Sequence, residues 1–150
     1  MSANRLKGIV DALLSQLREI DGTGNYNYTL WDSDVILAWR DFNQPPNKDR
    51  YPFISVFEAE IGPSSWMDIR TEEYPFEIRG YGFVRVRDND PEILEAAFKL
   101  ASDIEEAIFS DPQFGDRIYE LSDFFEVTAL GASYAGVFFE VTGKTSLTHN

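Results

Sequence analysis

The chain has 150 residues, 43% of them hydrophobic and 15% aromatic, which is enough apolar side chain for a single folded domain over residues 1–150. It has no Cys and one His, His149, which excludes disulfides and argues against thiolate or imidazole catalysis and His/Cys metal sites. The net charge is −13, and residues 88–126 carry twelve Asp and Glu against Lys99 and Arg117, a balance that disfavours specific binding of nucleic acid.

The chain opens on a predicted amphipathic helix over residues 3–20. Its apolar residues recur at spacings of three and four: Leu6, Val10, Leu13, Leu17 and Ile20. Gly22 and Gly24 end it. A short strand is predicted over residues 35–39, and the polar stretch 41–50 predicts an exposed loop because Pro45-Pro46 cannot continue a strand ladder.

Two strands with a loop between them follow. The first covers residues 51–61, and the loop over 62–71 carries Trp66, whose ring is expected to fold back over the sheet edge. The second strand, 74–87, alternates strictly and predicts a sheet with one buried face and one polar face that includes Phe83. Gly80 and Gly82 lie on the buried face and leave room for a bulky group, most simply a closely packed helix.

A second helix is predicted from Pro91, with Asp90 as its N-cap, to the residues before Asp111-Pro112. The predicted buried stripe consists of Leu94, Ala97, Phe98, Ala101, Ile104 and Ile108. The residues predicted to face water are Glu95, Lys99, Asp103 and Glu106. Strands over 124–130 and 137–147 then form a hairpin, and the tail 148–150 is expected to fray.

This order of elements favours an α+β fold with a single, mainly antiparallel sheet. The N-terminal helix and the long central helix are expected to cover one face of it, and a β-hairpin ends the chain. No apolar run is long enough to predict a transmembrane helix, and the first residues lack the pattern of a signal peptide, so synthesis in the cytosol is expected.

The motifs tested for chemistry predict no catalytic, cofactor-binding or metal-binding residue. Asp88, Asp90 and Glu92 resemble part of a calcium loop but lack its glycine and its last glutamate. Glu58 and Glu60 share a strand face, and nothing places them across a cleft as glycosidase carboxylates require. Nucleotide-binding and serine-hydrolase motifs are absent from the sequence. We therefore expect a structural or interaction protein rather than an enzyme.

Arg79, Arg85 and Arg87 form a basic row on the polar face of the long strand, with aromatic residues between them. Such a row can serve as a platform for single-stranded nucleic acid, but Glu77 interrupts it and the domain is acidic. Cross-strand ion pairs, or contact with the acidic surface of a neighbouring subunit, are the preferred interpretations.

Taken in order, the elements resemble the small tail-terminator and tail-completion proteins of long-tailed bacteriophages. The resemblance rests on LKGIVDALLSQL, then QPPNKDRYPFISVFEAEI, then FEIRGYGFVRVRDNDPEILEAAFKLASDIEEAI, and on the aromatic hairpin at the end. It covers almost the whole chain through element order and texture rather than an invariant motif, so it transfers no functional residue.

The resemblance implies a ring, commonly of six copies, that caps the tail tube, stops its polymerisation and provides a docking face for the head connector. The expected partners are further copies of the chain, the tube protein and the neck, in the virion and beforehand in the host cytoplasm, with DNA passing an acidic wall and no membrane involved. The residues expected at interfaces are Trp39, Phe42, Pro45, Pro46, Trp66, Arg79, Arg85 and Arg87. A neck or connector protein of similar fold, and a non-viral monomeric binding domain, remain as alternatives.

Overall fold

The structure, a computed structural model, describes residues 2–37 and 51–149, apart from the side chain of Ser2. Within these ranges it contains two α-helices and one mixed sheet of six strands, which confirms the predicted α+β class. The elements in chain order are α1 (Ser2–Leu17), β1 (Val35–Leu37), β2 (Phe53–Ile61), β3 (Ser65–Trp66), β4 (Thr71–Arg85), α2 (Ile93–Ile108), β5 (Glu120–Leu130) and β6 (Tyr134–Thr148).

The sheet is mainly antiparallel. Its strands lie in the order β1-β2-β4-β6-β5, β3 also pairs with β4, and β1 runs parallel to β2. The longest pairing joins 15 residues of β4 to 15 of β6, from Thr71 opposite Thr148 to Arg85 opposite Tyr134. β5 and β6 form a hairpin whose turn holds Gly131 at φ 76°, a left-handed conformation that glycine adopts without strain.

Both helices pack on one face of the sheet. α1 contacts β1 and β2, α2 contacts β4, β5 and β6, and the two helices contact each other. Ile9, Leu13 and Leu17 of α1 are fully buried, as their helical spacing requires. The helix ends at Leu17, earlier than predicted, but Ile20 is still fully buried in the same core.

The exposed and buried sides of α2 differ from the prediction. Leu94 and Phe98 were predicted to be buried and are 42% and 55% exposed. Asp103 was predicted to face water and is fully buried. The apolar stripe is wider than the strip of helix that the sheet covers, and the covered part consists of Ala97, Leu100, Ala101, Ile104, Ala107 and Ile108.

The N-terminus of α2 also departs from the prediction, since the helix begins at Ile93 rather than Pro91. The predicted N-cap, Asp90, lies three residues before the first residue of the helix. Its Oδ1 accepts a hydrogen bond of 2.9 Å from the backbone N–H of Glu92, so the residue forms a turn that leads into the helix instead of capping it.

The two glycines of β4 admit different neighbours. A Cβ on Gly82 would lie 2.9 Å from Leu100 Cδ2 and 3.2 Å from Ile104 Cδ1, which confirms the prediction of a closely packed helix at this position. A Cβ on Gly80 would overlap the ring of Phe139, its cross-strand partner on β6. The space at Gly80 is therefore filled by an aromatic ring of the sheet itself.

The outer face of the sheet, opposite the helices, is not uniformly polar. Phe53 of β2 and Phe83 of β4 are fully buried there, with ring centroids 6.2 Å apart. Phe57 stacks on Tyr81 at 4.2 Å. The prediction of a single buried face is therefore wrong around Phe83, whose ring stacks on that of its cross-strand partner Phe53.

Asp103 joins the segment after α1 to α2. Its carboxylate accepts hydrogen bonds from the backbone N–H groups of Asn27 and Tyr28 at 2.8 and 2.9 Å, and from Asn27 Nδ2 at 3.0 Å. The Tyr28 hydroxyl donates to the carbonyl of Ala96 at 3.1 Å. Burial raises the pKa of Asp103, while the bonds from Asn27 and Tyr28 oppose that rise.

Replacing Gly80 with Ala should destabilise the fold by about 2 kcal/mol, because the new methyl group forces the Phe139 ring out of a close-packed position. Urea denaturation measures the change. Gly8→Ala is the matched control: Gly8 lies inside α1 near the flexible end of Arg117, and Ala there should be neutral or stabilising. Equal stability of the Gly80→Ala chain and the wild type would contradict the packing described.

Replacing Asp103 with Ala should cost about 2 kcal/mol, because it leaves the N–H groups of Asn27 and Tyr28 without their acceptor. Ser102→Ala, at the exposed neighbouring position, should change the free energy of unfolding by less than about 0.5 kcal/mol. Similar losses in the two variants would show that Asp103 does not anchor the segment.

Candidate interaction surface

A hairpin formed by β3 and the start of β4 carries the two most exposed large apolar side chains among the described residues, Ile69 and Trp66, together with Met67. Trp66, Met67 and Ile69 are 60%, 54% and 92% exposed, and we call these three residues the hairpin tip. The strands pair Ser65 with Glu73 and Trp66 with Glu72. The sequence predicted a loop here, and the strand was missed because β3 has only two residues.

A compact turn shapes the hairpin tip. Asp68 Oδ1 accepts hydrogen bonds of 2.8 Å from the backbone N–H groups of both Arg70 and Thr71, and Met67 N–H donates to the Thr71 carbonyl at 2.8 Å. The two hydrogen bonds to Asp68 lower the pKa of its carboxyl group, and the bond from Arg70 has the larger effect. An Asp three residues before the returning strand is a turn signal that the sequence contains. The turn holds Ile69 out in water.

The C-terminal residues support the hairpin from the side. His149 N–H donates to the Arg70 carbonyl at 2.6 Å, and His149 Nε2 lies 2.7 Å from Glu72 Oε1. The prediction of a frayed tail is therefore wrong for Thr148, which ends β6, and for His149. A hydrogen bond from the Ser64 side chain is the main reason that the pKa of Glu72 is lowered, and His149 adds to the effect.

Glu73 connects the base of the hairpin to the rest of the sheet. Its carboxylate accepts hydrogen bonds from the Tyr119 hydroxyl and, at 3.3 Å, from Ser65 Oγ, and Lys144 Nζ lies 3.8 Å away. Burial and the bond to Glu73 raise the pKa of Tyr119 to about 12. The hairpin is thus tied to β5 and β6 as well as to its own strands.

The predicted interface residues fall into three groups. Trp39, Phe42, Pro45 and Pro46 lie outside the described residues. Trp66 lies on the hairpin tip, where its ring meets the His149 ring at a centroid distance of 5.5 Å. Trp66 is 60% exposed, so the expectation that its ring folds back over the sheet edge is wrong; the ring lies beside the terminal His149 instead.

Arg79 lies at the centre of an ion-pair network on the outer face. It pairs with Glu58 on β2, with Glu77 on its own strand at 2.7 Å and with Glu140 on β6 at 3.4 Å. The cross-strand ion pairs expected for the basic row are therefore present at this position. Three carboxylates around one guanidinium leave the centre of the outer face acidic.

Arg85 and Arg87 have neighbours that differ from those of Arg79 and from each other. The Arg85 guanidinium lies over the Tyr51 ring, 4.8 Å from its centroid. Arg87 follows the end of β4, is 78% exposed and lies 3.6 Å from the Asp90 carboxylate. The structure does not bring the three arginines together into one basic patch.

The outer face also has an acidic concavity of about 300 Å³. Side chains from four strands cross it in one row: Glu60, Glu77, Thr142 and Ser122. Glu58, on the same face of β2 as Glu60, pairs with Arg79. Within the described ranges, no group of three or more His, Cys, Asp or Glu side chains is placed to hold a metal ion.

A pair of carboxyl groups joins α2 to β5. Asp123 Oδ2 is buried and receives no hydrogen bond from a donor group of the described residues. A proton on the neighbouring Glu105 carboxyl supplies that donor, and this bond, with desolvation and the charge of Asp123, raises the pKa of Glu105 to about 7. The sequence carries no signal for this pair, because it joins two elements that are distant along the chain.

Replacing Glu105 with Gln should make stability less dependent on pH. The folded-state pKa of Glu105 lies above its ordinary value of 4.5, so its contribution to stability is present below pH 4.5 and is lost as the pH rises to about 7. At pH 8 the Gln variant should be more stable by on the order of 1 kcal/mol, a figure discounted for the exposure of Glu105. Denaturation at pH 4.5 and pH 8, with Glu126→Gln on the opposite face of β5 as control, measures this. Identical pH profiles for the Glu105 and Glu126 variants would contradict a shared proton.

A comparison with protein-family models and with curated proteins finds no match to the chain. Neither helix of the described residues is long and apolar enough to cross a membrane. The hairpin tip, the exposed apolar residues of α2 and the acidic surfaces around them are therefore the features from which a function has to be inferred.

Proposed function

We propose that this chain is a structural protein of a phage virion, a tail terminator that forms an oligomeric ring on the end of the tail tube. The ring stops polymerisation of the tube and provides the docking face for the head or neck. The proposal assigns the chain no catalytic step and no cofactor. It places the protein at the neck-proximal end of the tail, after assembly in the host cytoplasm.

The observation that carries the proposal is the hairpin tip. Three large apolar side chains stand in water at the end of a hairpin that hydrogen bonds hold in one conformation. Large apolar side chains exposed together in one short segment are typical of a contact with another protein. Because the tip is already ordered, little conformational entropy is lost when a partner covers it.

Two further features support assembly. β5 lies at an edge of the sheet, and an edge strand can extend a sheet into a neighbouring subunit. Most of the acidic residues in the second half of the chain, including Glu95, Glu106 and Glu126, are exposed. On the inner wall of a ring they would repel DNA phosphates, and passing DNA would not adhere.

The order of elements also supports this proposal over a monomeric binding domain. An N-terminal helix, a long central strand that leads directly into a second helix, and a closing aromatic hairpin are the features on which the resemblance to tail terminators rests. A head–tail connector or neck protein of similar fold is the second candidate, and it shares the ring but not the capping of tubes.

Addition of the purified protein to polymerising tail-tube protein tests the proposal. Electron micrographs should show tubes of limited length with rings on their ends. A chain with Met67→Ser and Ile69→Ser should lose both effects, because the substitutions remove the apolar contact surface. Phe109→Ser, which replaces an exposed apolar residue at the C-terminus of α2, is the control and should cap as the wild type does.

Tubes that grow to the same length with and without the protein would contradict the terminator proposal. If the protein forms rings but leaves tube growth unchanged, the connector or neck function is favoured instead. A protein that forms no ring and does not affect tubes would favour the monomeric binding domain.

A further inference from the structure

β5 is an edge strand, and no described segment pairs with its free side. It pairs with β6 in an unbroken register from Glu120 to Leu130. In an antiparallel pair, alternate residues of an edge strand direct their N–H and C=O groups away from the neighbouring strand, which gives about five such residues in β5. β5 has no Pro, no Lys and no bulge, three features that commonly keep a further strand off an edge. Its backbone can therefore pair with an additional strand.

The side of α2 next to β5 carries exposed apolar residues. Glu105 of α2 is hydrogen-bonded to Asp123 of β5, so this side of the helix lies beside the strand. Phe98 lies seven residues before Glu105, and Leu94 lies four before Phe98, spacings that place all three on one side of the helix. Leu94 and Phe98 are 42% and 55% exposed. The sheet is therefore too narrow to cover the whole apolar stripe of α2, and a strand added to β5 would extend it beneath these two residues.

The two apolar residues lie over the second half of β5. The helix begins four residues after Asn89, whose N–H bonds at 2.8 Å to the carbonyl of Ala132 in the β5–β6 turn, and it reaches Asp123 at Glu105. α2 therefore runs antiparallel to β5. The seven residues from Phe98 to Glu105 span about 10 Å of helix, which corresponds to about three residues of β5. We use the name edge site for residues 124–130 of β5 together with Leu94 and Phe98.

The charges of β5 all have one sign. The strand carries three acidic residues and no basic one: Glu120, Asp123 and Glu126. Two β5 edges that met would bring two sets of these carboxyl groups together, and like charges on neighbouring strands destabilise their pairing. The acidic residues therefore disfavour a second copy of β5 at this edge, and they favour a basic strand.

The basic residues of the neighbouring elements do not cancel this charge. Lys144 of β6 lies 3.9 Å from Glu120, at the end of β5 remote from the edge site. Lys99 of α2 lies four residues before Asp103 and therefore on the side of the helix that meets residues 27 and 28, away from β5. Glu126, within the edge site, is exposed and forms no ion pair with a described residue.

The outer side of the edge site adds an aromatic ring to this carboxylate. Phe124 is 50% exposed and lies two residues from Glu126 on the same face of β5. The β6 residue opposite Phe124 is Glu140, whose carboxylate is already paired with Arg79 at 3.4 Å. An exposed ring beside an unpaired carboxylate favours Lys or Arg, which can contact the face of the ring and pair with the carboxylate.

We propose that the edge site binds an extended segment of another protein in which apolar residues alternate with Lys or Arg. The backbone of the segment pairs with β5, its apolar side chains cover Leu94 and Phe98, and its basic side chains lie beside Phe124 and Glu126. Successive side chains of a strand point to opposite faces, so one segment can make both sets of contacts. The inference goes beyond the terminator function, because this binding site does not require a ring.

Calorimetric titration of the full chain with a seven-residue peptide of alternating Lys and Val tests the edge site. The peptide should bind, its affinity should fall as salt is added, and the same peptide with Glu in place of Lys should not bind. Two further peptides carry N-methyl groups on every Val or on every Lys. Only one of them should lose binding, because alternate residues of an added strand bond to β5. No binding of the Lys–Val peptide, or equal binding of the two methylated peptides, would contradict strand addition.

Variants of the full chain locate the binding. Glu126→Lys and Phe98→Ser should each raise the dissociation constant of the Lys–Val peptide by about fivefold or more, because they remove the charge and the apolar contact. The matched controls are Glu19→Lys, an exposed position after α1, which packs on β1 and β2, and Phe109→Ser, beyond Glu105 on α2. Both controls should bind as the wild type does, and circular dichroism confirms that each variant is folded. Equal affinities in all four variants would overturn the inference.

Amide hydrogen exchange shows which strand the peptide covers. The Lys–Val peptide should slow exchange at alternate amides of residues 124–130. The same protection in the concentrated chain without peptide would show a second copy at the edge and would overturn the inference. Its failure is distinguishable from that of the proposed function. Rings that cap tubes but ignore the peptide would contradict the edge site alone, and a single-copy chain that binds the peptide would contradict the ring alone.

Discussion

Fifteen residues of β4 pair with fifteen of β6, and this pairing organises both the core and the exposed surface. In its middle, the absent side chain of Gly80 admits the Phe139 ring, and Gly82 lets α2 approach through Leu100 and Ile104. At one end, the same two strands continue into the hairpin tip and the C-terminal His149 that braces it. If the β4–β6 pairing were shorter, β6 would not reach the β3–β4 hairpin as its third strand. The fold and the candidate interaction surface therefore both depend on this pairing.

The polar interactions differ between the two faces of the sheet. Asp103 and the Glu105–Asp123 pair join α2 to its neighbours on the helix side of the sheet. Burial raises the pKa of Asp103, and the hydrogen bond with Asp123, followed by desolvation, raises the pKa of Glu105. On the outer face, the Arg79 guanidinium is surrounded by the carboxylates of Glu58, Glu77 and Glu140. The chain has 26 acidic residues against 13 basic ones, so an excess of negative charge remains beyond these contacts.

Most of the helices and long strands followed from the sequence, because 3.6-residue and 2-residue periodicities are strong signals over ten or more residues. The parts that did not follow are those decided by contacts between distant segments. The helical pattern predicts a buried Leu94 and an exposed Asp103, and the structure shows the reverse. The position of the sheet decides which part of the broad apolar stripe on α2 is covered. The sequence does not reveal the hairpin, because β3 is too short to show alternation. It predicts a frayed tail at His149, because the partners of His149, Arg70 and Glu72, are distant along the chain. The candidate surface is therefore evident only from the structure. Of the three residues of the hairpin tip, the sequence predicts only Trp66 as an interface residue.

The account makes self-association the basis of the function, with the hairpin tip as the contact that one chain cannot satisfy alone. The most direct measurement is the mass of the purified protein by light scattering over a range of dilutions. It should give a closed multiple of the 17.1 kDa chain that persists on dilution and dissociates when Met67 and Ile69 are replaced by Ser. A mass of one chain at every concentration would contradict the account.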